Sequence, residues 1–190
     1  MIRSFKVFTA AALMSAVFAA PMAYAAPSGG SSEPAATEKP LTKKQVAAKA
    51  KCKKDGRVWV IKKLICQNPQ SGSLDDESLY NAGREFALDG RYDEAITTLN
   101  YVANAQDKRV LNYLGYSYRK SGHIDVGLTY YKQALAIDPD YTLVREYLGE
   151  ALIQMGDISG AKGQLFEIKN RCKGACPEYA ELARQLAPFN

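Results

Sequence analysis

Four cysteines, a single histidine and a dense set of tyrosines and arginines are the residues of this 190-residue chain whose types could do chemistry. Catalysis needs titratable groups that converge in named roles. His123 stands alone in the stretch Lys120-Ser121-Gly122-His123, which reads as a loop, and a lone loop histidine is ordinarily a surface residue. The acidic run Asp75-Asp76-Glu77 falls where a helix should begin, and carboxylates there complement the helix dipole. Glycine-rich phosphate loops, metal-binding helix motifs and nucleophile elbows do not occur. The expectation is a protein that is not an enzyme and has no cofactor.

Cys52, Cys66, Cys172 and Cys176 lack the Cys-x2-Cys pairs of a zinc site, so no metal is expected and two disulfides are. Three pairings are open, and locality favours Cys52–Cys66 and Cys172–Cys176. Between the first pair, Arg57-Val58-Trp59-Val60-Ile61 is rich in strand formers, and Lys62-Lys63 separates it from Leu64-Ile65. A small disulfide-closed hairpin is expected there. Disulfides also fit the start of the chain. Arg3 and Lys6 precede an apolar run that ends in Ala23-Tyr24-Ala25, so residues 1–25 read as a signal peptide cut after Ala25, and the chain as periplasmic or secreted.

Residues 26–44 are small, polar and Pro-containing and read as a flexible linker, with Thr42 able to cap a helix after it. Residues 45–70 form the basic disulfide hairpin in this division of the chain. Its charge is concentrated: residues 43–63 hold nine Lys and Arg against Asp55 alone, whereas residues 64–190 hold 13 basic and 17 acidic side chains. The patch Lys51, Lys53, Lys54, Arg57, Lys62 and Lys63 could meet an anionic envelope surface or polymer, or stand as a solvated arm. Nucleic acid is not expected for an exported chain, and Trp59 with its flanking lysines makes no recognised nucleic-acid module.

The remainder, residues 75–190, is helical by periodicity. Leu111, Leu114, Gly115 and Tyr118, then Ile124, Gly127, Leu128, Tyr131, Ala134, Leu135 and Ile137, recur at three and four residues. Gly122 supplies a helix end and Asp138-Pro139 a stop. The same spacing returns upstream at Leu79, Gly83, Phe86, Ala95 and Leu99, and downstream at Leu148, Gly149, Leu152, Ala161, Leu165 and Ile168. No closing Pro follows the first unit, so its second helix should end early, around residues 104–107.

This pattern resembles the tetratricopeptide repeat. Leu111 stands at its Trp position, Leu114-Gly115 and Tyr118 match, Tyr131 sits at the Phe position, and Pro139 closes the unit. The resemblance implies an all-α, TPR-type solenoid of about three helical hairpins, with Pro177-Glu178-Tyr179 opening a C-terminal capping helix. It also implies that the first helix of each repeat lines a groove for a partner peptide or helix. The positions concerned are Tyr80, Asn81, Arg84 and Leu88; Arg109, Asn112, Tyr113, Tyr116 and Arg119; and Leu143, Glu146, Tyr147 and Glu150. Tyr and Arg suit interface anchors, although tyrosines at helical spacing also serve as core. The implied function is a protein-interaction scaffold, and the alternative is an adaptor to an anionic envelope surface through the basic hairpin.

Overall fold

The structure, a computed structural model, describes residues 40–60 and 63–189. The expected signal peptide (residues 1–25), most of the expected linker (residues 26–44), and Ile61 and Lys62 of the expected hairpin segment lie outside the described residues.

The N-terminal part is a helix followed by a two-stranded hairpin. Helix α1 (Lys43–Lys54) starts at a capping box, in which Thr42 N donates to Gln45 Oε1 at 2.8 Å and Gln45 N to Thr42 Oγ1 at 3.3 Å. Strands β1 (Val58–Val60) and β2 (Ile65–Gln67) pair antiparallel, with Trp59 opposite Cys66. Cys52 is bonded to Cys66, so the crosslink ties α1 to β2. The helix that Thr42 was expected to cap is α1, and the crosslink holds it and the expected hairpin together. Strand alternation turns Val58 and Val60 inward, at 0% and 4% exposure, and Val58 joins a core with Leu79, Phe86 and Leu99.

Six helices then form three hairpins: α2 (Asp76–Leu88) with α3 (Tyr92–Leu99), α4 (Lys108–Lys120) with α5 (Ile124–Ile137), and α6 (Thr142–Gln154) with α7 (Ile158–Cys172). A last helix, α8 (Pro177–Leu186), packs on α6 and α7. Aspartates start three of them: Asp75, Asp107 and Asp157 each accept from a backbone N–H of the first turn at 2.8 Å. Within the central hairpin the chain reverses at Gly122, whose φ of 97° would strain any residue with a Cβ. Helix α3 ends at Leu99, earlier than the expected 104–107. The loop after it is strapped back to α2, because Ala103 N and Asn104 N donate to the Asp76 carboxylate at 2.9 and 3.1 Å.

Small residues set the helix spacing. A Cβ on Gly115 would lie 2.7 Å from the Tyr131 ring and 3.1 Å from the Gly127 carbonyl, and one on Gly83 would lie 2.5 Å from Leu99. In the third repeat the partner changes: a Cβ on Gly149 would meet Leu182 of α8 at 2.6 Å. The glycine that seats the second helix in the first two repeats therefore seats the terminal helix in the third. Cys172 is bonded to Cys176, pinning the turn between α7 and α8.

The N-terminal module is docked on the first repeat. Arg91 lies over the Phe86 ring at 4.7 Å and its Nη1 donates to the Lys53 carbonyl, meeting one of the acceptors that a helix C-terminus leaves open. Lys49 pairs with Glu85 at 2.6 Å and Lys53 with Asp89. Among the described residues, no helix is long and apolar enough to cross a membrane.

Candidate partner-binding face

Helices α2, α4, α6 and α8 lie next to one another in that order, so the first helices of successive repeats share one face. Because their residues repeat at the same helical positions, side chains of one type fall in register across it. The result is a connected aromatic strip. Tyr80 and Tyr113 have ring centroids 6.1 Å apart, Tyr113 and Tyr116 6.3 Å, and Tyr116 and Tyr147 5.0 Å. Tyr92 and Tyr131, from second helices, join at 6.3 Å from Tyr116 and 6.4 Å from Tyr147. These separations suit tilted and edge contacts between rings.

Arginines brace the strip. Arg109 lies 4.4 Å over the Tyr80 ring and donates to Glu77 at 3.0 Å. Arg84 Nε donates to Tyr113 Oη at 3.0 Å. Arg119 is 3% exposed; its Nε donates to Tyr131 Oη at 3.2 Å and its Nη2 pairs with Glu150 at 2.6 Å. Glu150 also accepts from Gln185 of α8, so the cap helix is bonded into the end of the face.

The expected positions have different fates. Tyr80, Tyr113 and Leu143 are nearly buried, and Tyr116 and Tyr147 are half-buried. Asn81 is exposed and donates to Glu77, and Leu88 stands exposed at the last position of α2, outside every core cluster. Asn112 is wholly buried with neither amide atom hydrogen-bonded. Glu146, 7% exposed, has no hydrogen bond or ion pair among the described residues. Burial pushes its carboxyl up to about 8, helped by Glu150, Glu178 and Glu181 and opposed by Arg119. Burial, then Tyr92, pushes the Tyr116 hydroxyl up to about 12, and burial raises Tyr80 and Tyr147 as well. All stay neutral at ordinary pH, offering flat rings and uncharged donors.

The basic patch divides. Lys53 and Arg57 are paired with Asp89 and Asp55, while Lys51, Lys54 and Lys63 are exposed without an acidic partner among the described residues; Lys62 lies outside them. His123 is exposed beside Ser121 and Tyr118. Among the described residues no group of three His, Cys, Asp or Glu is placed to hold a metal.

Sequence reasoning missed three contributors. Tyr131 reads as a core ring, and its hydroxyl becomes the Arg119 partner only through the tertiary fold. Trp59 and Lys49 line a cavity against α2. The alternation of Val58 and Val60 was the available signal that Trp59 faces the other way.

Comparison with known proteins matches the fold. The family model described as tetratricopeptide repeat covers residues 118–186. The type III secretion translocator chaperone SycD of Yersinia enterocolitica is 23% identical, with a TM-score of 0.52, over 60% of this chain and 79% of that one. PcrH of Pseudomonas aeruginosa, solved in complex with the chaperone binding region of PopB, is 21% identical with a TM-score of 0.51, over 60% and 94%. The first TPR domain of human RPAP3 is 18% identical with a TM-score of 0.54, over 60% and 90%, and the first TPR of Spaghetti (RPAP3), solved with the HSP90 peptide SRMEEVD, is 18% identical with a TM-score of 0.53, over 60% and 92%. No curated protein matches this chain in sequence.

Proposed function

From the premise that this chain carries tetratricopeptide repeats, we propose that it is a non-catalytic interaction scaffold of the periplasm, holding a peptide or helix of a partner protein on the face of α2, α4 and α6. The observation that carries this reading is the tyrosine strip, with Tyr116 and Tyr147 half-buried at its centre. Tyrosine combines a large rigid contact area with a polar tip, which is why it is enriched at anchors. Solved neighbours of this fold hold peptide segments, PopB on PcrH and SRMEEVD on the RPAP3 domain. Export rests on the signal read in residues 1–25 and on four cysteines used as disulfides.

The test is site-specific photo-crosslinking in intact cells. A photoreactive phenylalanine at Tyr116 should give a discrete adduct that Tyr147→Ala removes, whereas the same probe at Phe166, exposed at 61% on α7, should give none. Adducts from Phe166 alone would move the interface off this face. A second reading, attachment to an anionic envelope surface, has Lys51, Lys54 and Lys63 behind it. Contacts of that kind weaken steeply with salt, so an adduct that forms equally at high ionic strength argues for the tyrosine face.

A further inference from the structure

Glu146 stands three residues before Gly149, as Asn112 stands before Gly115 and Tyr80 before Gly83, so the three occupy one helical position on the shared face. At the α6–α8 end that position is acidic. Glu146 and Glu178 are each 7% exposed, and neither makes a hydrogen bond or ion pair among the described residues. Their oxygens nonetheless reach the surface, unlike the enclosed amide atoms of Asn112. Glu178 and Glu181 of α8 bear on the Glu146 carboxyl across the α6–α8 contact. Two of the carboxylates gathered here are compensated: Glu150 holds Arg119 and Gln185, and Glu181 holds Arg184 and Gln185. Four carboxylates thus share this end with two arginines, and the two left over, Glu146 and Glu178, are the more buried pair. A carboxylate withdrawn from water without a partner carries an uncompensated cost, which a cation set against it offsets.

We infer that this end of the face receives a cationic side chain of the held segment, a lysine or arginine, with Glu146 and Glu178 as its acceptors and the Tyr147 ring beside them. The assignment rests on the proposed face for the source of that charge, and it gives the segment a chemistry at one end. Tyr147 follows Glu146 in α6 and keeps its ring half-buried in the strip, where an aromatic face adds its own attraction for a cation. Burial, then the carboxylates around it, pushes the Glu146 carboxyl up to about 8 in the free chain, against the opposing charge of Arg119. A cation seated there therefore displaces a proton near neutral pH. The site also gives the Cys172–Cys176 bond a role, since it fixes the turn from which α8, the helix that carries Glu178, sets out.

The probes are N-acetyl-lysine methylamide and its uncharged counterpart, N-acetyl-norleucine methylamide, titrated at constant ionic strength into the disulfide-bonded protein with isotope-labelled glutamate and glutamine. The resonances followed are the Glu146 carboxyl and the Gln185 side-chain amide, which donates to Glu150 and Glu181. The lysine probe should shift both saturably and lower the pH at which Glu146 titrates, and the norleucine probe should do neither. Glu146→Gln and Glu178→Gln should each weaken binding about fivefold when read at Gln185. Asp125→Asn, on an exposed position in the first turn of α5, should leave it unchanged. Equal response to both probes, or lysine binding indifferent to both glutamate variants while circular dichroism is unchanged, overturns the inference. Shifts that appear on concentrating the protein without any probe would give the acceptors to a second copy of the chain and overturn it as well. Failure of the crosslinking at Tyr116 with a positive lysine titration rejects the face and leaves the acidic site; the reverse pattern rejects the site alone.

Discussion

Glu146 is the residue at which burial and charge conflict most directly. Its carboxyl faces Glu150 on its own helix, Glu178 and Glu181 on α8, and Arg119 from α4. Its pKa rises from 4.5 to about 8 through burial and then those carboxylates. Between these values the folded chain holds a proton that the unfolded chain has lost, so stability falls as pH rises across that window. The slope for one group is at most about 1.4 kcal/mol per pH unit. Urea denaturation at several pH values from 5 to 8 should show this decline, and Glu146→Gln should flatten it, gaining on the wild type as pH rises. Parallel curves for the two proteins would mean that Glu146 ionises normally. Asn112 poses a related problem, because a buried amide with neither atom bonded costs about 1–3 kcal/mol.

At the scale of elements, the glycines decide which helix packs where. Gly115→Leu places a branched side chain where even a Cβ would come within 2.7 Å of Tyr131 and 3.1 Å of a backbone carbonyl. The ring cannot retreat easily, since Tyr131 is wholly buried and bonded to Arg119. Overpacking of this kind costs about 1–3 kcal/mol. Lys132→Leu, on an exposed position of α5, should leave the melting temperature nearly unchanged. Equal shifts in a thermal melt would refute the contact. What the sequence did not show is how α1 and its hairpin join the repeats. They dock on the first repeat because Val58 has an apolar core to enter and Arg91 reaches the carbonyls at the end of α1.

For the whole molecule, repeats that contact mainly their neighbours should respond to damage locally. Nonreducing peptide mapping of the chain purified from cells should return a first peptide beginning at Ala26, as the proposed export requires, with Cys52 joined to Cys66 and Cys172 to Cys176. Closing a loop of about 15 residues stabilises by roughly 3 kcal/mol in the chain-entropy account. Reduction should therefore raise amide exchange in α1, β1 and β2 and around the α7–α8 turn, while α4 and α5 stay protected. Exchange that rises uniformly would contradict the division into neighbouring units. A first peptide beginning upstream of Ala26 would reject the cleavage proposed there.

The sequence by itself determined the helical hairpins, because apolar spacing, capping aspartates and Gly122 act within a few residues of one another and need no distant partner. It favoured the local cysteine pairs for the same reason but left three pairings open, and the structure chose Cys52–Cys66 and Cys172–Cys176. What only the tertiary structure decided is where side chains of equal periodicity end up. Tyr80 and Tyr113 sink while Tyr116 and Tyr147 stay half-buried, Asn112 is covered, and Gly149 turns to α8. The cavity beside Trp59 is of the same kind, since its walls come from an N-terminal strand and from α2. Periodicity fixes which side of a helix a residue is on, but burial depends on how closely the neighbouring elements approach it. That distance is set by packing across the stack, between residues far apart in the chain.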